Sequence, residues 1–258
     1  MSETTNNFSL LNVEVPDSVD NAAKNLTDLP TKNVGQTLAD CWFLVFGGIS
    51  QAAEKRKIKY ALDLAIFKNS LEDNISKIPE ENRIEAKTQI VMPALESAKY
   101  CVEEPILRDM FANLISSSID NRKSNLVHPA FGELLKTMSP LDARNLLLLK
   151  TKTHLPICHL KILKSPDSGY TYVGKNLFIV NSDNIDIDIT AQSISSLTRL
   201  GLIESPYGVC INDNNAYLAY DEFLRIVKSK QPDRNLELEK RIIQLTPFGE
   251  SFLQICSP

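Results

Sequence analysis

The chain has 258 residues, of which 43% are hydrophobic and 23% charged, so its composition is that of a globular protein with one large domain or two smaller ones. Its formal net charge of -4 argues against a surface devoted to nucleic-acid phosphates, which usually gives a basic balance. Its five cysteines are scattered and never spaced as C-x-x-C, so neither a zinc site nor a disulfide framework is predicted.

The first 21 residues are polar and acidic, and they lack the basic start and apolar centre of a secretory signal. We therefore expect a cytoplasmic protein. Residues 1–30 are predicted to form a flexible arm that carries a short helix over residues 17–29, because Val19, Ala22 and Leu26 follow helical spacing.

Two apolar helices are predicted next. Residues 34–49 contain the run LADCWFLVFGGI, which is shorter than the ~20 residues that a membrane-spanning helix needs, so a buried helix is predicted. Residues 54–78 are predicted to form a long amphipathic helix that begins with the basic cluster EKRKIKY. Contact of residues 38–57 with an acidic membrane surface is the alternative interpretation of this region.

Residues 79–149 hold the densest helical signals. Ile106, Leu107 and Met110 belong to one broad apolar stripe. At Ser139 the pattern S-P-x-D predicts a helix start, because the serine caps the helix and proline fits its first turn. Such stripes are compatible with a homo-oligomer and equally with the core of a monomer.

After residue 150, turn residues and short apolar runs replace the helical pattern, as in a mixed α+β unit. The predicted elements are a strand over 177–180, a helix over 190–200, a strand over 202–204, a helix over 216–230, a strand over 242–245 and a helix from Thr246. We therefore predict a mainly α protein, with a helical N-terminal domain over 31–155 and a small winged-helix-like α+β domain over 156–258.

The best polar candidates for an interaction site lie in the central helical region. They could form a network that fixes the turn after residue 79 against a helix pair, or bind a small anion through the arginine fork. The candidates are Arg83, Glu85, Arg108, Asp109 and Asn113.

His128 is a further candidate, because its pKa near neutrality suits a general base and Glu133 lies close in sequence. A histidine before proline more often enters a helix, and no nucleophile or metal site accompanies it. His154 and His159 flank Cys158, where a packed linker is favoured over a metal site. We predict no catalytic residue, metal or cofactor.

The winged-helix pattern raises DNA binding as an alternative, with Gln192, Ser195 and Arg199 as the contacts on the recognition helix. Residues 186–258 carry 7 basic and 10 acidic residues, a net charge of -3, which disfavours binding driven by phosphate contacts. Nucleic acid is therefore not the favoured partner.

Several phrases resemble the abortive infection alpha (Abi-alpha) family. They follow the family's order from residue 79 to the end of the chain, whereas the first 75 residues match only loosely. The phrases are PEENRIEAK, PALESAKY, LRDMFANLISSSID, VHPAFGELLKTMSPLDA, LTRLGLI and LTPFGESFL.

The resemblance implies a bacterial protein associated with bacteriophage exclusion, and it supplies no catalytic residues. Together with the missing catalytic constellation, it predicts a non-enzymatic protein that recognises a phage or host protein. The alternatives are a winged-helix DNA-binding regulator and a membrane-associated effector.

Overall fold

In a computed structural model, residues 32–46, 55–164, 169–179 and 186–257 are described, and the helix predicted over 17–29 lies outside them. Within these ranges, six α-helices precede the first strand. No helix in these ranges is long and apolar enough to cross a membrane. The helices are α1 (Lys32–Phe46), α2 (Lys55–Ser76), α3 (Thr88–Ala98), α4 (Pro105–Ser118), α5 (Phe131–Thr137) and α6 (Pro140–Leu148).

Local signals explain where several of these helices begin. Pro105 stands in the first turn of α4. The start predicted at Ser139 is confirmed as a capping box, in which the Ser139 hydroxyl accepts from the Asp142 N–H and the Asp142 carboxylate accepts from the Ser139 N–H. The apolar run of α1 is mostly buried, with Leu38, Trp42 and Phe46 fully covered.

The described residues after Leu148 form a four-stranded antiparallel sheet, in which the strands lie side by side in the order 170–177, 154–163, 236–245 and 203–204. The two ten-residue strands pair from His154 opposite Gln244 to Ile162 opposite Leu236. The elements are β1 (His154–Leu163), β2 (Tyr170–Leu177), α7 (Ile187–Arg199), β3 (Ile203–Glu204), α8 (Leu218–Lys230), β4 (Leu236–Leu245) and α9 (Pro247–Cys256).

The main apolar core joins both halves of the chain. It contains Trp42 and Phe111 from the helical half together with Ile157, Ile194 and Phe252 from the α+β half. The last helix, α9, packs against α4, and the Ser117 hydroxyl donates to the Ile255 carbonyl at 3.2 Å. A second cluster lies where Tyr217 and Tyr220 cover the other face of the sheet.

Two strand predictions were wrong in position. The segment around Pro156, which was predicted to be a packed linker, is the inner strand β1. A strand was predicted to begin at Leu177, but the observed strand β2 ends at that residue. Asn176, near the end of β2, adopts a φ of 56°, and the pairing of β2 with β1 shifts its register between Gly174 and Leu177. The mainly helical class with a small sheet is confirmed, whereas the winged-helix assignment and the domain boundary at 155 stay predictions.

Candidate functional site

Arg108 joins two helices rather than facing an open site. Its side chain, which is 10% exposed, pairs with Asp63 of α2 at 3.1 Å and donates to the Val102 carbonyl at 3.2 Å. Asp63 is also largely buried, with its side chain 13% exposed. The pair therefore fixes α4 against α2, and the contacts of Arg108 are not those of the predicted network around the turn after residue 79.

Arg83 caps the C-terminal end of α2 through its side chain. Its Nε donates to the Ile78 carbonyl at 2.9 Å and its Nη2 to the Ser76 carbonyl at 3.3 Å, so a cation meets the negative end of the helix. The backbone of Arg83 also forms a β-bridge with Asp120 after α4. The turn predicted to be held against the helix pair is held by these contacts.

Asn113 lies where the last turns of α2, α4 and α9 meet. Its Oδ1 accepts from Asn74 at 2.9 Å, and its Nδ2 donates to the Cys256 carbonyl at 3.4 Å. A pocket of about 170 Å³ opens beside it, and three cations line the pocket: Lys77, Arg122 and Lys123.

These cations complement three converging helix C-termini, whose free carbonyls and dipoles favour positive charge and oppose an anion. Asp120, at the same pocket, accepts two hydrogen bonds from the Arg122 guanidinium, at 2.8 and 2.6 Å. Those bonds hold the pKa of the Asp120 carboxyl below its ordinary value. The pocket is thus explained by the packing of the helices.

The remaining candidates of this group stand apart from one another. Glu85 is exposed and Asp109 half-buried. The His128 Nδ1 accepts from the Ala130 N–H at 3.1 Å, and its ring lies edge-on to Phe248 at 5.4 Å. His128 therefore packs at the entry to α5, and the six candidates do not converge on one site.

The three residues predicted as DNA contacts do come together. Gln192, Ser195 and Arg199 share the exposed face of α7, as their helical spacing requires, and they line an open groove of about 660 Å³. Lys175 of β2 and Asp188 line the same groove.

Hydrogen bonds from the end of β2 hold one wall of this groove in place. The Asn176 side chain donates to the Ser195 hydroxyl at 2.9 Å, and that hydroxyl donates to the Ala191 carbonyl at 2.8 Å. Contacts within the chain therefore hold this wall of the groove in place without a bound partner. Asn and Asp are the non-glycine residues that most readily adopt the positive φ that Asn176 shows.

Sequence reasoning missed a polar cluster on the sheet beside this groove. His159, which is 6% exposed, accepts at Nδ1 from the Asn176 N–H at 3.0 Å, while its Nε2 lies 3.3 Å from Nη1 of Arg241. Tyr172 lies edge-on to the ring and donates to Glu239 at 2.6 Å. Strands β1, β2 and β4 bring these residues together, so no local spacing could have shown the cluster.

The sequence segments that carry the family resemblance contact one another in the folded structure. Beyond the contact of Arg83 with Asp120, Phe131 of VHPAFGELL lies edge-on to Phe252 of LTPFGESFL, with ring centroids 5.2 Å apart. Thr246 of the same phrase donates its N–H to the carbonyl of Leu202 in LTRLGLI at 3.1 Å. The phrases therefore encode the packing of the fold more than a single site.

The family model for abortive infection alpha matches residues 59–256, most of the chain. The chain belongs to the abortive infection alpha family. No curated protein and no solved structure matched it. In this family member, no group of three or more His, Cys, Asp or Glu side chains among the described residues is arranged to hold a metal ion.

The buried histidine of this abortive infection alpha protein gives a pH prediction. Burial lowers the pKa of His159, and the Arg241 guanidinium lowers it further. The unfolded chain therefore binds more protons below its histidine pKa of about 6.5, and the free energy of unfolding should fall as the pH drops from about 6.5 toward the folded-state pKa.

Urea unfolding at several pH values between 7 and 5 measures this effect. We expect His159→Gln to flatten the pH dependence of the unfolding free energy, whereas the matched variant of an exposed histidine, His154→Gln, should keep it. If the unfolding free energy of His159→Gln depends on pH as steeply as that of the unmodified protein, His159 is not the group responsible for the pH dependence.

Proposed function

We propose that the protein acts in abortive infection of a bacterial cell by bacteriophage, and that it does so by recognising a phage or host protein rather than by catalysis. The observation that carries the proposal is the family match over residues 59–256. The match supports the biological role, and the mechanism is inferred from the surface of the molecule.

The groove between α7 and β2 is the surface we assign to recognition. Its Gln192 can donate and accept hydrogen bonds, and the Ser195 hydroxyl, which already donates to the Ala191 carbonyl, can accept one more. The groove also contains the cations Lys175 and Arg199 and the carboxylate of Asp188. A surface of mixed polarity with two cations and one carboxylate suits a protein partner better than a phosphate backbone, whose neutralisation requires a larger set of cations.

The contacts of the other candidates support a non-catalytic role. Arg83, Arg108 and Asn113 use their polar atoms to join helices. The His128 Nδ1 accepts a local backbone hydrogen bond, and Glu133 nearby is exposed and accepts from the Ser97 hydroxyl at 3.4 Å. A general base would instead need a free nitrogen facing a nucleophile.

Phage plating and culture survival, at low and high ratios of phage to cells, test the proposal. Cells that carry the intact gene should be protected at the low ratio, and their culture should collapse at the high ratio, as abortive infection requires. The double variant Gln192→Ala with Arg199→Ala should lose protection, because it removes the amide and the cation of the groove without touching the core.

The double variant Lys228→Ala with Lys230→Ala on the exposed end of α8 serves as the matched control and should protect as well as the unmodified protein. Point variants are preferable to removal of residues 186–258, because that deletion also removes Phe252 and Ile255 from the main core. Full protection by the groove variant would exclude the groove as the recognition surface, and failure of the intact gene against a broad phage panel would contradict the defence role.

A further inference from the structure

Strand β2 forms one edge of the sheet. It pairs with β1 on one side, and no strand among the described residues pairs with it on the other. Apart from Leu177 its residues are exposed or half-buried, with Tyr170 46% and Val173 48% exposed. An uncovered strand edge offers a row of unpaired N–H and C=O groups, which another extended chain complements.

The register of the sheet shows which backbone groups of β2 face outward. The Leu163 N–H donates to the Asn235 carbonyl at 2.9 Å, on the side of β4, so Leu163 and its partner Tyr170 are a non-hydrogen-bonded pair of the hairpin. Such pairs recur at every second residue, and the register has no shift before Lys161 opposite Tyr172. The N–H and C=O groups of Tyr170 and Tyr172 therefore point away from β1.

Side-chain contacts connect this edge with the groove proposed for protein recognition. The rings of Tyr170 and Tyr172 lie edge to face with centroids 5.2 Å apart, and the Lys175 ammonium lies 4.9 Å from the centre of the Tyr172 ring. Lys175 also lines the groove, together with Arg199 and Asp188 of α7. An extended segment bound along the edge would therefore reach the groove at Lys175.

We propose that the recognised protein binds by β-strand addition, in which an extended segment pairs with the outward backbone of Tyr170 and Tyr172 and directs acidic side chains toward the groove. Strand addition rests on the proposed function, because it describes how the partner enters the same groove. The cations Lys175 and Arg199 outnumber the single carboxylate of Asp188, so charge complementarity favours an acidic segment. Main-chain hydrogen bonds supply affinity in this mode of binding, and side chains supply specificity.

The probe for this proposal is a fluorescein-labelled peptide of eight residues, the length of β2, in which Glu and Val alternate. Alternation places all of its carboxylates on one face of the extended chain. Fluorescence anisotropy should show that the peptide binds the purified protein. A control peptide with Lys in place of Glu should bind roughly tenfold more weakly, because its cations would meet those of the groove.

Methylation of the probe's backbone nitrogens tests main-chain pairing. One peptide is methylated at every Glu nitrogen and another at every Val nitrogen, so that opposite edges of the extended chain lose their donors. One of the two should lose binding and the other should keep it, because a single edge of the peptide faces β2.

Amide hydrogen exchange locates the bound peptide on the protein. The N–H groups of Tyr170 and Tyr172 should gain protection when the peptide is bound. The N–H of Thr171, which faces Ile162 of β1, serves as the internal control and should change little.

Two substitutions test the edge and the charge separately. Tyr172→Pro removes an outward N–H, and proline is tolerated on edge strands, whereas the matched variant Tyr172→Ala loses the same side chain but keeps the donor. Only the proline variant should lose peptide binding. Lys175→Glu should weaken binding of the Glu peptide by roughly tenfold, and Lys228→Glu on the exposed end of α8 should leave it unchanged. Circular dichroism verifies that each variant is folded.

Absence of binding by the Glu peptide to the intact protein at low salt would overturn the proposal. Equal binding by the two methylated peptides, or unchanged protection of Tyr170 and Tyr172, would overturn it as well, because the peptide would then occupy another surface. Self-association that is lost in Tyr172→Pro, without peptide binding, would assign the edge to a second copy instead.

The phage assay separates strand addition from the proposed function. Loss of protection by Tyr172→Pro, with protection retained by Tyr172→Ala, would support both. If Tyr172→Pro protects fully while Gln192→Ala with Arg199→Ala does not, recognition by the groove stands and strand addition is wrong.

Discussion

Substitution Gly249→Ala is expected to lower the free energy of unfolding by about 3 kcal/mol, an effect of overpacking in a closely packed site. A β-carbon at this position would overlap the carbonyl oxygen of Leu202 and lie 2.8 Å from the carbonyl carbon. Both atoms belong to backbone that cannot yield easily, since the same carbonyl accepts from the Thr246 N–H at 3.1 Å.

Helix propensity alone predicts the opposite sign for this substitution, because alanine exceeds glycine by about 1 kcal/mol inside a helix. The destabilisation from the clash should exceed this gain in helix propensity, since α9 cannot move away from Leu202 without losing the packing of Phe252 in the core. Urea unfolding followed by circular dichroism measures the difference. Glu250→Gln, at the exposed neighbouring position, should change stability by less than about 1 kcal/mol. An unchanged or higher stability of Gly249→Ala would contradict the close contact.

Breaking the ion pair between Asp63 and Arg108 should lower the free energy of unfolding by about as much as Gly249→Ala does. Arg108→Met leaves the carboxylate of Asp63 buried without its cation, and loss of one partner from a buried pair typically costs about 3 to 5 kcal/mol. The variant also leaves the Val102 carbonyl without the hydrogen bond from Arg108. We expect a loss near the lower limit, because the Asp63 side chain retains 13% exposure.

The double variant Asp63→Leu with Arg108→Met tests whether charge pairing itself stabilises the fold. Asp63 Oδ2 and Arg108 Nε are buried without a hydrogen-bond partner among the described residues, so the pair is incompletely satisfied. Apolar replacement of both residues should therefore recover most of the stability lost in the single variant. If the double variant is as unstable as Arg108→Met, the pair contributes more than its desolvation removes.

The sequence predicts local features of this fold well. The capping box at Ser139 depends on atoms three residues apart, and Gly201 ends α7 with a φ of 71°, so both can be recognised from a few neighbouring residues. Strand β1 could not be predicted in this way, because its polar residues and Pro156 are typical of a loop. Its extended structure depends on pairing with β4, which is distant in the sequence.

The candidate site also combines features that local sequence shows with features that depend on tertiary contacts. Gln192, Ser195 and Arg199 share one face because helical periodicity places them there, which the sequence shows directly. His159 and Arg241 meet through the register of two strands, and Arg108 meets Asp63 through the packing of two helices. Such pairings depend on tertiary contacts, which one sequence does not reveal.

The position of α9 has a consequence for synthesis in the cell. Hydrogen bonds from Asn113 and Ser117 reach the carbonyls of Cys256 and Ile255, so an early helix acquires part of its packing from residues that leave the ribosome late. A nascent chain that stops before Pro247 would display the apolar side of α4 to chaperones and proteases. Interrupted translation would therefore yield degradable fragments in place of a shortened active protein.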